Sequence, residues 1–203
     1  MAHPEFGREH RVCAIEPKRR EREILEALEE QGRRYGIEEI IPVRTRDIVV
    51  ARWVRLKCKY GCRKYGTSWC CAPETPGPDE TRAILAEYSR ALILRASVWN
   101  DQFYRENSRK RRTQVSVWKG VVALERFLFL HGYYKAFSLV ADRCALCKEC
   151  LYPETCRFPM DRRPSVESMC IDVFQTLRNL GREPRIVEDV TDRYDCYSII
   201  LLE

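Results

Sequence analysis

Cys144, Cys147 and Cys150 stand at a C-x2-C-x2-C spacing, and Cys156 follows after five intervening residues, in the stretch DRCALCKECLYPETCRFPM. Thiolates at steps of three on a tight loop can occupy three corners of an iron–sulfur cubane, and this is the spacing of the bacterial ferredoxin run. In that run a fourth cysteine and a proline come next. Here Pro153 lies inside the intervening segment and Pro159 follows Cys156, so Cys156 can fold back onto the same cluster or reach elsewhere. Zinc is the rival. Structural zinc sites usually use two C-x2-4-C pairs set apart by a longer spacer, a pattern that three evenly spaced cysteines fit poorly. The stretch points to a [4Fe-4S] cluster first and to zinc second.

A second constellation is CKYGCRKYGTSWCCAPETPGP. Cys58 and Cys62 form a C-x3-C pair, and Cys70 and Cys71 follow the turn YGTS. Gly61 and Gly66 can bend the backbone around a bulky ligand, and Pro73, Pro76 and Pro78 stiffen the exit. Neighbouring side chains diverge, so one of the adjacent pair ligates and the other packs or supports. Cys58, Cys62 and Cys71 are the candidate ligands, with Cys70 or Cys170 as a possible fourth. The alternatives at this loop are a structural zinc or an unligated group of thiols. The chain is thus expected to carry one or two clusters.

Disulfides are the weakest reading of these cysteines. Eleven is an odd number, which leaves at least one outside any pairing. The stretch MAHPEFGREHRV has no apolar signal-peptide core, and this places the protein in the cytoplasm, where thiols stay reduced. No apolar run reaches the roughly 18 residues of a membrane span. Of the remaining cysteines, Cys170 falls on a helical stripe with Val166, Val173 and Leu177 and reads as a small buried residue. Cys13 and Cys196 read the same way.

No Ser–His–Asp set, P-loop, GxGxxG or HExxH is present, and His3, His10 and His131 are too few and scattered for a histidine site. Paired acids such as Glu29-Glu30 and Glu188-Asp189 read as solvated faces. Catalytic residues cannot be named, and any chemistry must run through cysteine-bound metal.

The elements that must position these loops follow from hydrophobic period. EPKRREREILEALEEQGRRYG reads as a surface helix with a stripe of Ile24, Leu25 and Leu28, an Arg22–Glu26 pair, and Gly32 or Gly36 at its end. DIVVARWVRLKC is rich in β-branched and aromatic residues and predicts a strand running into Cys58. PETPGPDETRAILAEYS breaks on prolines and then starts a helix, and ALILRAS is a short strand. Residues 113–131 suit a long helix with a wide apolar face. YYKAFSLVADRC predicts a strand ending at Cys144. SVESMCIDVFQTLRNLG predicts one helix with Ser165 as N-cap and Gly181 past its end. DCYSIILLE is apolar on both faces, like a central strand. The 203 residues are expected to form a single α/β domain over 1–203, a mixed β-sheet flanked by helices. Its two cysteine-rich metal-binding loop regions are 52–78 and 142–165.

At these two loops the sequence resembles a prokaryotic family of predicted metal-binding proteins, domain of unknown function 2284, over roughly Arg55 to Gly181. The resemblance rests on Cys58, Cys62, Tyr65-Gly66 and Cys71 with Pro73, then on Cys144, Cys147, Cys150 and Cys156-Arg157 with Pro159. Arg163-Pro164-Ser165, Glu167 and Ile171-Asp172-Val173 complete it. It implies metal binding, in the form of iron–sulfur clusters. Ala72 stands where the family tends to have a proline, and Cys170 where it tends to have a glycine, so Cys170 adds a thiol.

The net charge of +6 comes from 36 Lys and Arg against 30 Asp and Glu. RWVRLKCKYGCRK (Arg52 to Lys64) holds six bases and no acid, and RKRR spans Arg109 to Arg112. Cations beside a thiolate-ligated cluster would offset its negative charge. The same surface suits an acidic redox partner protein, and the leading function is electron transfer. The runner-up is an enzyme with an open cluster iron acting as Lewis acid on a sulfur- or oxygen-bearing substrate. A zinc-stabilised module binding nucleic acid through the basic segments is third. Sequence-specific nucleic-acid reading and a membrane partner are not expected.

Overall fold

A computed structural model describes residues 17–99, 108–189 and 192–203. Cys13, His3 and His10 lie outside the described residues, and of the RKRR side chains only Arg111 and Arg112 are described.

Four strands build one sheet: β1 (Glu39–Arg44), β2 (Arg90–Trp99), β3 (Phe137–Leu139) and β4 (Arg193–Leu201), in the order β1-β2-β4-β3. Each pairing among them is antiparallel. β4 lies inside the sheet, as its unbroken apolar run predicts, and Ile199, Ile200 and Leu201 are all buried. Side chains alternate across a strand, so β2 sends Leu92, Leu94 and Ala96 to one face and Ala91 and Ile93 to the other.

The first face is covered by α1 (Pro17–Arg33) through Ile24 and Leu28, and by α4 (Ser108–Leu130) through Val117, Trp118, Val121 and Leu128. The predicted Arg22–Glu26 pair forms at 3.6 Å, and Gly36 follows α1 at φ 86°. Gly120 lets α4 meet Tyr35, because a Cβ there would stand 2.4 Å from the Tyr35 Cβ. The second face is covered by α3 (Pro78–Ala86) through Leu85, and by Ile48, Val166, Met169 and Ile171. The α/β class, with helices on both faces of the sheet, stands as the sequence predicts.

Three elements differ from expectation. The stretch from Asp47 does not run as a strand to Cys58. Val50 pairs with Ile171 at a single antiparallel bridge, and the chain then turns into α2 (Arg52–Gly61). The β-branched residues Ile48, Val49 and Val50 belong to the extended part, while Arg, Leu and Lys after them favour helix. Cys58 therefore sits in the last turn of a helix. The strand toward Cys144 is short: Phe137–Leu139 with one more bridge, Val140 to Ser165.

The predicted helix from Ser165 is broken in two. A 3-10 turn at Glu167–Met169 ends at Cys170, which is left-handed at φ 59°, ψ 22°. After it Asp172 caps α5 (Val173–Asn179) by accepting from the Gln175 N–H. Ser165 is not an N-cap: Val166 precedes the short turn, and Ser165 Oγ accepts from the Ser168 N–H at 3.1 Å. Cys170 is thus not on a helical stripe, although it is fully buried.

Candidate metal centre

Two anchors bring the cysteine loops together. The Cys70 carbonyl accepts from the Ser165 N–H at 2.9 Å and from Ser168 Oγ at 3.3 Å. Ser168 also takes Thr75 Oγ1 at 2.9 Å and Arg55 Nη2 at 2.9 Å on its own carbonyl. Arg55 reaches the Thr75 and Pro76 carbonyls as well, so one guanidinium clips α2, the exit of the first loop and the 3-10 turn. The exit of the second loop is held on α4. Arg163 makes a bidentate pair with Glu125 at 2.8 and 2.6 Å, and Glu125 also accepts from the Ser138 N–H and hydroxyl. Burial pushes the Glu125 carboxyl up, but the Arg163 and Ser138 hydrogen bonds outweigh it and hold it below the ordinary carboxylate value.

Between the loops lies a cleft of about 820 Å³. Cys144, Cys147, Cys150 and Cys156 line it, and so do Cys70 and Cys71 from the first loop. Burial and the nearby thiols Cys144, Cys150 and Cys156 push the Cys147 thiol up, with Arg157 opposing. Cys147 is thus within electrostatic reach of the other three cysteines of the second loop.

Cys70 and Cys71, adjacent in sequence, face the same cleft. Cys70 is the deeper, 3% exposed, and its thiol shares a hydrogen bond with that of Cys144. That bond, followed by the opposing effect of burial, leaves Cys144 lowered to about 7, helped by the Leu146 N–H, while Cys70 is driven strongly upward. Burial raises Cys71 to about 12, against the N–H of Cys144 and with Cys62 and Glu167 adding to the rise.

Cys58 and Cys62 sit outside the cleft lining. Cys58 lies in the last turn of α2 and Cys62 just past its end in an extended conformation. Burial raises Cys58, Arg55 opposes, and Glu167, Cys62 and Cys170 add to the rise. Cys62 lies within electrostatic reach of both Cys58 and Cys71, so the three first-loop candidates form one neighbourhood, with Cys170 on its Cys58 side. Cys196 lies on β4, in the wall of a small apolar pocket beside Val117 and Trp118.

Sequence reasoning missed Glu167. The residue is only partly buried, yet its carboxyl is enclosed, and burial together with the charge of Asp142 raises it to about 7. The sole signal in the sequence is its place in the motif after Arg163-Pro164-Ser165. Asp142, which opens the second loop, is itself left-handed at φ 64°. Gly66 meets the same demand at φ 67° with the residue suited to it.

Among the described residues no three His, Cys, Asp or Glu side chains converge closely enough to enclose one metal ion. The donor set nevertheless fits a thiophilic metal, since six thiols line one cleft and thiolate selects zinc, copper(I) or iron–sulfur centres over hard cations. Among the described residues no helix is long and apolar enough to cross a membrane.

The fold is thus an α/β scaffold that gathers two cysteine loops around one cleft. The chain belongs to the family of the predicted metal-binding protein (DUF2284), whose family model matches residues 41–202. Neither a curated protein nor a solved structure matches it.

Proposed function

We propose that the protein is an iron–sulfur electron carrier whose cleft holds a [4Fe-4S] cluster on Cys144, Cys147, Cys150 and Cys156. The observation that carries the reading is the gathering of those four thiols, with Cys70 and Cys71, around one cleft of about 820 Å³. Thiols spread around a space of that size suit a multinuclear centre better than a single zinc, whose four sulfurs would lie only about 3.8 Å apart at tetrahedral bond lengths. When bound, such a cluster supplies one-electron transfer. The chain's own part is to present Cys144 beside Cys70 at the cleft wall and to fix the loops through Arg55 and Arg163. A second centre on Cys58, Cys62 and Cys71 is part of the proposal, with Cys170 packing beside Cys58.

The partner is an acidic one-electron carrier protein docking on α2. This helix exposes Trp53, Leu56 and Tyr60, with Lys57 4.9 Å from the Trp53 ring centroid and Lys59 5.4 Å from that of Tyr60. An aromatic and basic face beside Cys58 and Cys62 suits electrostatic steering of an anionic partner. Protein purified without oxygen and reduced with dithionite should be reoxidised by an oxidised acidic ferredoxin or flavodoxin, at a rate that falls as salt rises. A protein whose absorbance does not respond to reductant would refute the reading.

A second reading follows from the first loop, where Cys62 is exposed while Cys58 and Cys71 are half-buried. In that reading a first-loop iron with three protein ligands is open to a sulfur- or oxygen-bearing substrate. The magnetic resonance signal of the reduced protein should then change on adding a small thiol or cyanide, and stay fixed if the centre is closed.

A further inference from the structure

Two residues that line the cleft carry buried donors that lack acceptors. Trp69 Nε1 and Arg111 Nε are buried nitrogens without a hydrogen-bond partner, and both residues line the cysteine cleft. Only three such side-chain atoms occur among the described residues, so two of the three fall at this one place. A buried N–H without an acceptor is rare in a folded protein and calls for a missing partner. Indole Nε1 and guanidinium Nε can only donate. The missing partner must therefore be an acceptor.

Neither donor is free to turn away. The Trp69 ring packs edge-on against Tyr152, with centroids 5.1 Å apart at 71°, and the Arg162 guanidinium lies 5.7 Å from its centroid. Tyr152 is tied in turn by its hydroxyl, which donates to Glu74 at 2.8 Å. Arg111 spends Nη2 on the Leu146 carbonyl at 2.7 Å, so its guanidinium is anchored to the backbone between Cys144 and Cys147. The surrounding wall is cationic: Lys64, Arg143, Lys148 and Arg157 join Arg111 there, against the single acid Glu149. An anionic occupant fits both the charge and the orphaned donors.

We propose that Trp69 Nε1–H and Arg111 Nε–H donate hydrogen bonds to metal-bound sulfur of the centre held in this cleft, and that they set its reduction potential. This rests on the reading that the cleft thiols hold a metal centre. Hydrogen bonds to the sulfurs withdraw electron density and are one of the levers by which a protein tunes such potentials. Trp69 and Arg111 act through the sulfur and are positioning residues, not ligands.

The test is made on the full chain with 15N-labelled tryptophan, with and without metal, the Trp69 indole resonance being assigned from its absence in Trp69→Phe. With a zinc-loaded centre that resonance should move downfield as the N–H gains an acceptor; with an iron-loaded centre it should be lost to paramagnetic broadening. A Trp69 resonance at the same position with and without metal overturns the proposal, and so does a chain that takes up no metal. In the iron-loaded protein, Trp69→Phe should keep its iron and show a lower midpoint potential, because the cluster sulfur loses a donor. An unchanged potential at full iron content would also overturn it. Zinc in place of iron would sink the electron-transfer reading while leaving the indole shift to decide this one.

Discussion

Cys170 condenses the problem of reading a cysteine from sequence. It is fully buried and left-handed at φ 59°. A left-handed backbone costs a residue with a Cβ roughly 1–2 kcal/mol. Glycine removes that cost, alanine does not, and both remove the thiol. Cys170→Gly should therefore be more stable than Cys170→Ala by about 1 kcal/mol, as measured by denaturant midpoint. Because we assign the thiol to packing, both variants should keep their full metal content. Loss of metal from the better-folded glycine variant would make Cys170 a ligand.

Glu125 is the other residue that tests the scaffold directly. Its side chain is 10% exposed and that of Arg163 is 13% exposed, so the pair is shielded from solvent. Glu125→Gln should cost about 3–5 kcal/mol, because it leaves a buried guanidinium unmatched. The folded-state value of Glu125 lies below the ordinary 4.5. Its contribution is thus present above 4.5 and is lost as pH falls through the lower folded value. The gap between wild type and Glu125→Gln should be full at neutral pH and narrow on acidification below 4.5, in urea titrations run at each pH. A gap that does not change with pH would contradict the assignment.

At the scale of elements, the contact of α4 with the turn after α1 decides how the first face closes. Gly120→Ala would drive a Cβ to 2.4 Å from the Tyr35 Cβ, and backbone must shift to relieve it. The expected cost is about 1–3 kcal/mol, or about 2–4 °C of melting temperature per kcal/mol at this chain length; an unchanged melting temperature would mean that Tyr35 yields freely. The long helix, the central strand and the break on prolines before α3 were legible in sequence because each follows one strong period or a clear breaker. α2 was not, since Ile48, Val49 and Val50 form a short extended pairing with the segment after Cys170 and bias the whole stretch toward strand. The break at Cys170 was hidden because its apolar spacing mimics one helix, and the pairing that bends it there comes from Val49–Ala51, more than a hundred residues away. Spacing singled out Cys144, Cys147, Cys150 and Cys156, which line the cleft, but not that Cys70 joins Cys71 there while Cys58 and Cys62 lie outside its lining. The place of Trp69 and Arg111 beside them was not legible, and Arg163 and Glu167 showed only as motif residues without a role, because only the fold brings these side chains to the loops.

For the molecule as a whole, the sheet and its two covered faces serve as a rigid platform, and the chemistry lies where the two cysteine loops meet. Cys70 belongs to the core of the first face and lines the cleft as well, so scaffold and site share residues. The central claim is that the second-loop thiols hold one metal–sulfur centre in that cleft. The most direct measurement is iron, acid-labile sulfide and zinc content of protein purified without oxygen, for wild type and for Cys147→Ala. Cys147 is chosen because its thiol lies among the other three and away from the packed core. Wild type should be brown, with iron and sulfide in equal amounts, and Cys147→Ala should lose about half of its iron if the first loop carries the second cluster. A colourless protein with stoichiometric zinc, or a Cys147→Ala variant with its iron undiminished, would contradict the account.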